Sequence, residues 1–109
     1  MRTSICAVLI AAMACTAPAC AAEELYAVTI QDHRFSPEEI RVPSGKKVKL
    51  VIENLDATPE EFESYDLNRE KVIAAKSKGV VFIGPLKPGR YSFFGEFNSN
   101  TAQGAVVVE

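Results

Sequence analysis

Between Lys47 and Glu53 apolar and charged side chains alternate, with Val48, Leu50 and Ile52 on one parity and Lys47, Lys49 and Glu53 on the other. Successive side chains of a strand point to opposite faces, so a period of two describes a half-buried strand and not a helix. Other short runs rich in β-branched and aromatic residues lie at Tyr26–Ile30, Ile40–Val42, Val80–Ile83, Arg90–Phe94 and Ala105–Val108. Turn residues separate them: Pro43-Ser-Gly45, Asn54-Leu-Asp56, Lys78-Gly79, Gly84-Pro85 and Lys87-Pro-Gly89. Six or seven short strands at this spacing predict an all-β fold, a single-domain antiparallel β-sandwich. The stretch Asp66 to Ala75 reads as an irregular link that ends in a strand near Val72. In Leu86-Lys-Pro-Gly-Arg-Tyr91 the Tyr91 hydroxyl is expected to bond back to main chain across the turn, the tyrosine corner of Greek-key sandwiches.

The N-terminus reads as a secretory signal. Arg2 supplies the positive start, and Ile5 to Met13 forms an apolar stretch too short to span a bilayer. Small residues follow, with cleavage expected after Ala22 or, nearly as well, after Ala21. This divides the chain into a leader, residues 1–22, and a mature domain, residues 23–109, placed in the periplasm. Cys20 lacks the leucine that a lipid-anchoring signal needs, so lipidation there is not expected. Cys6, Cys15 and Cys20 all fall in the leader, which leaves the mature domain without disulfides despite its export. A net charge of −2 argues against nucleic acid as a partner, and no second apolar stretch is long enough to insert the mature chain in a membrane. There is no G-x-S-x-G elbow, P-loop or dinucleotide fingerprint.

Several phrases together resemble one family. Phe35-Ser-Pro-Glu-Glu-Ile-Arg-Val-Pro-Ser-Gly45 is similar to the opening of the cupredoxin-like domain. Pro59-Glu-Glu-Phe-Glu-Ser64, Asp66-Leu-Asn-Arg-Glu-Lys71 and Gly84-Pro-Leu-Lys-Pro-Gly89, leading into Tyr91-Ser-Phe-Phe-Gly-Glu-Phe97, resemble its EfeO-type, iron-uptake-associated branch. The resemblance implies a Greek-key sandwich and a periplasmic protein that assists iron or copper acquisition. Such a protein presents the ion, or helps to oxidise it, for an iron permease or a periplasmic iron-binding partner. The blue-copper positions depart from the family pattern. Gly95 stands for the cysteine, Asn98 for the second histidine, Thr101 or Ala102 for the methionine, and Glu60 or Glu61 for the first histidine. A blue-copper centre is therefore not expected, because its thiolate is missing. Asn98 also departs from the iron-linked branch, where a histidine is expected.

Carboxylates are the remaining candidates. With Phe62 toward the core, Glu61 and Glu63 project away from it. Glu96 follows the strand that a cupredoxin places beside this segment, and His33 ends the first strand. Glu61, Glu96 and His33, with Glu63 in support, are the expected metal ligands. An oxygen-rich set with one imidazole suits iron, Cu(II) or Mn(II) rather than Cu(I). Asp56 is expected to cap its own turn. A metal-free sandwich that docks on another protein, through Phe94 and Phe97, is the alternative reading.

Overall fold

The computed structural model describes residues 23–109; the expected leader, its cleavage site and Cys20 lie outside them. The strands are β1 (Glu24–Gln31), β2 (Arg34–Ser36), β3 (Glu39–Val42), β4 (Val48–Asn54), β5 (Glu60–Ser64), β6 (Arg69–Ile73), β7 (Lys78–Ile83), β8 (Gly89–Gly95) and β9 (Gln103–Val108), with one 3-10 turn at Glu96–Asn98. They form two sheets, ordered β2-β1-β4-β7 and β3-β9-β8-β5-β6. The all-β sandwich expected from the alternation is present, but its pairing is mixed. β1 runs parallel to β4 and β3 parallel to β9, while the other neighbours are antiparallel. Alternation tells which face of a strand is buried, not which strand lies beside it.

The alternating positions close the core. Val48, Leu50 and Ile52 of β4 are all but fully buried, facing Phe62, Phe93, Val106 and Val108 of the other sheet. Phe35 meets Phe93 edge-on at 4.9 Å, and Phe62 lies 5.0 Å from Phe93, so three rings fill one end of the interior. The link expected over Asp66 to Ala75 is shorter than predicted. A turn containing Asn68, at φ 53°, leads into β6, which pairs along its whole length with β5. The buried Ser64 hydroxyl donates to Ser92 O (2.7 Å) and accepts from Leu67 N (3.0 Å), tying this turn to β8. The tyrosine corner forms as expected: Tyr91 Oη donates to Lys87 O at 2.8 Å.

The β1–β2 hairpin turns on two consecutive residues in the left-handed region, Asp32 (φ 53°) and His33 (φ 57°). Side chains larger than glycine occupy that region at a cost, so the turn needs outside support. Asp56 supplies it, its carboxylate accepting from Asp32 N (2.8 Å) and His33 N (3.0 Å). Asp56 therefore caps a distant turn rather than its own. Its own turn is held by Asn54, whose Oδ1 accepts from Asp56 N at 3.0 Å and whose Nδ2 donates to Thr58 O at 2.9 Å. Asn54 is fully buried, and these bonds satisfy it.

Candidate functional site

β5 divides the acidic phrase between two faces. Its inward parity, with Phe62 and Ser64, carries Glu60; its outward parity carries Glu61 and Glu63. Glu60 is 1 % exposed, an unusual place for a carboxylate. Its Oε1 accepts from Phe97 N (2.9 Å) and Glu61 N (3.0 Å), and its Oε2 accepts from the Asn98 amide (2.7 Å). The carboxyl fills the space beside Gly95: a Cβ at that residue would lie 2.6 Å from Glu60 Cδ and 2.7 Å from Ala102 Cβ. The loop folds over it through Gly95 N to Ala102 O (2.8 Å) and Ala102 N to Asn98 O (2.9 Å).

On the outer face Glu63 sits directly across from Glu70 of β6, and Glu61, opposite Val72, is two pairs further along. Glu61, Glu63 and Glu70 each offer a carboxylate oxygen within 4.8 Å of the other two. Like charges directly opposite on a sheet repel, and none of the ion pairs among the described residues involves these three. Desolvation of the half-buried Glu61, then hydrogen bonding to Glu70 and Glu63 and repulsion from their charges, push its carboxyl up to about 7. Near neutral pH the cluster thus keeps a proton that isolated glutamates would have lost.

Of the residues expected to bind metal, the structure brings Glu61 and Glu63 together, adds Glu70, and leaves Glu96 and His33 outside the set. Glu96 is exposed on the 3-10 turn. His33 Nδ1 lies 3.5 Å from Asp56 Oδ2, and its carbonyl accepts from Thr101 Oγ1 at 2.6 Å, so this residue belongs to the hairpin turn. The amides of His33 and Asp32 hold the Asp56 carboxyl below its usual range, His33 contributing most, against a smaller upward push from burial. The sequence offers Glu60 only as an alternative to Glu61 at the first-histidine position, and it does not single out Glu70. The inward parity shared with Phe62 is the signal for Glu60. For Glu70 there is none, because its position opposite Glu63 depends on the β5–β6 register. Aromatic rings border the outer cluster: Phe94 pairs with Glu63 across β8 and lies 5.4 Å from the exposed Tyr65.

The profile of the cupredoxin-like domain family matches residues 4–108. An uncharacterized protein of Rickettsia prowazekii (strain Madrid E), RP394, is 47 % identical over 81 residues, covering 74 % of this chain and 65 % of that protein. The chain thus spans just under two thirds of that relative's length. Among solved structures, the metal-binding domain of the Cu(I)-exporting P-type ATPase CopA of Streptococcus pneumoniae D39 superposes with a TM-score of 0.70 at 14 % identity, covering 78 % of this chain and 84 % of that one. Auracyanin A, a blue copper protein of Chloroflexus aurantiacus, gives 0.67 at 12 % identity, covering 78 % and 98 %. At such identities the likeness concerns the fold.

Proposed function

This chain belongs to the cupredoxin-like domain family, and on that premise we propose that it is an exported metal-binding protein that assists iron or copper acquisition. It presents the ion, or helps to oxidise it, for a permease or a periplasmic partner of the EfeO-associated kind. Solved proteins of the same fold include a Cu(I)-bound domain and a blue copper protein, which supports metal handling as the general role. The reading includes no blue-copper centre. The described residues contain no cysteine or methionine, and Gly95 and Asn98 stand where the resemblance puts the thiolate and the second histidine.

One observation carries the proposal: Glu61, Glu63 and Glu70 converge, and no ion pair among the described residues neutralises them. A proton relieves the repulsion in part, and a hard or borderline cation such as Fe(III), Mn(II) or Cu(II) relieves it more fully. Calorimetric titration of the protein with these ions tests it, alongside Glu61→Gln, Glu70→Gln and Glu96→Gln. Loss of a charged ligand is expected to weaken binding by roughly tenfold or more in the first two variants, and Glu96→Gln is expected to match the parent. Equally weak binding by all four proteins ends the proposal.

A second reading, a metal-free docking module, is favoured by the aromatic border. Tyr65, beside Phe94, is 77 % exposed, and Phe97 on the 3-10 turn is 51 % exposed. Large exposed aromatics are characteristic anchors of protein interfaces. Absence of thermal stabilisation by every ion in the titration would select it.

A further inference from the structure

Glu60 presents a buried carboxylate whose partners among the described residues are all neutral. Phe97 N, Glu61 N and the Asn98 amide all donate to it, and none of the ion pairs among the described residues reaches it. Burying an isolated carboxylate is costly unless donors replace its water, and converging backbone and amide N–H groups form an anion-binding concavity. The same carboxyl lies against residues at two positions that the resemblance gives to copper ligands. It bonds to Asn98, and it sits so close to Gly95 that a side chain there would overlap it, with Ala102 closing the same space.

We infer that these residues form a carboxylate-binding socket whose permanent occupant is the chain's own Glu60, seated where the fold's copper proteins hold their metal. The residues do not fit copper. Among the described residues no sulfur and no imidazole ligand joins the socket, both carboxylate oxygens are already engaged, and the inward-facing N–H groups present positive dipole ends that favour an anion and oppose a cation. Gly95 and Glu60 are committed to each other, since the glutamate takes the volume that a cysteine at residue 95 would need. The Glu96–Asn98 turn is therefore locked onto β5 without any ion. This inference does not rest on the outer carboxylates, and either can fail alone.

Chemical rescue of the protein, purified as its host processes it, tests the socket. Glu60→Ala is expected to lower the melting temperature by roughly 5–20 °C, from the loss of buried charge-assisted bonds in a domain of this size. Sodium formate, which fits the vacated carboxylate position, is expected to raise the melting temperature of that variant more than sodium chloride at the same ionic strength, and to leave the parent unchanged. Equal effects of the two salts overturn the inference, as does a variant that melts with the parent. Should Glu60→Ala not fold, Glu60→Gln keeps the volume but loses the charge. Hydrogen exchange at the Phe97 amide is then expected to quicken roughly tenfold, and unchanged protection overturns the inference. A thermal stabilisation of the parent by Cu(II) or Cu(I) that Glu60→Gln abolishes would make Glu60 a metal ligand and also overturn it. If instead ions bind the parent weakly and all outer variants equally, the proposed function falls and the socket stands.

Discussion

A cation that settles on Glu61, Glu63 and Glu70 must expel the proton they share, and the structure sets how many protons leave. With the Glu61 carboxyl pushed up to about 7, the group is about half protonated at neutral pH, about nine-tenths protonated one unit below and about one-tenth one unit above. Binding should therefore release about half a proton per ion at pH 7, close to a whole proton near pH 6 and almost none near pH 8. The same competition weakens apparent affinity about fivefold between pH 7 and pH 6. Calorimetry in buffers of differing ionisation enthalpy measures the released protons directly, with Mn(II) as the probe because it hydrolyses little in this range. In Glu61→Gln the release should vanish at every pH. Release that stays constant across these pH values, or that persists in Glu61→Gln, refutes the reasoning. A related effect appears without metal. Since folding raises this pKa above the ordinary 4.5, the group's favourable contribution is complete below 4.5 and disappears as pH climbs through about 7. The parent should accordingly lose stability relative to Glu61→Gln over that interval in paired denaturant melts.

Gly95→Ala should destabilise by about 2–4 kcal/mol, because the new methyl overlaps the Glu60 carboxyl and Ala102. The backbone there is ordinary extended chain, φ −92° and ψ 113°, where the substitution would otherwise add about 0.4–1 kcal/mol; a variant as stable as the parent by urea unfolding contradicts the packing described. Asp56→Ala should cost about 1–3 kcal/mol at neutral pH by releasing the Asp32–His33 turn. Its carboxyl is held below the ordinary 3.8, so the difference from the parent should persist above that pH and shrink as pH falls through the lowered value, a dependence that acid titration of both proteins reads out. Asn54→Ala, which leaves Thr58 O and Asp56 N without their buried partner, should cost about 2–4 kcal/mol in the same unfolding assay, and a loss near zero would show that water replaces the amide.

How much of this was readable from the chain divides at the point where long-range pairing begins. The Lys47–Glu53 alternation identified β4 and its buried face, and the proline-glycine turn before Tyr91 identified the tyrosine corner, because both are set by residues within a few positions. The parallel pairings of β1 with β4 and β3 with β9 were not readable, since backbone hydrogen bonds between strands carry no residue code. Nor was Glu70 opposite Glu63, which required the turn after Ser64 to fix the β5–β6 register.

Glu60 lies between these cases. Once Phe62 is taken as inward, parity alone directs Glu60 and Ser64 inward as well, and the pattern along β5 obeys it. What local reasoning lacked was any sign that a buried carboxylate could be satisfied there. Besides the adjacent Glu61 N, its donors lie 37 and 38 residues away in sequence, on a turn that docks only when the sandwich closes. Exposed glutamate is the common case because burial usually strands the charge. The exception needs donors delivered by the far end of the domain and a neighbour without a side chain. Gly95 met the second condition in plain view, since a glycine at the end of an aromatic strand leaves room that some other group must fill.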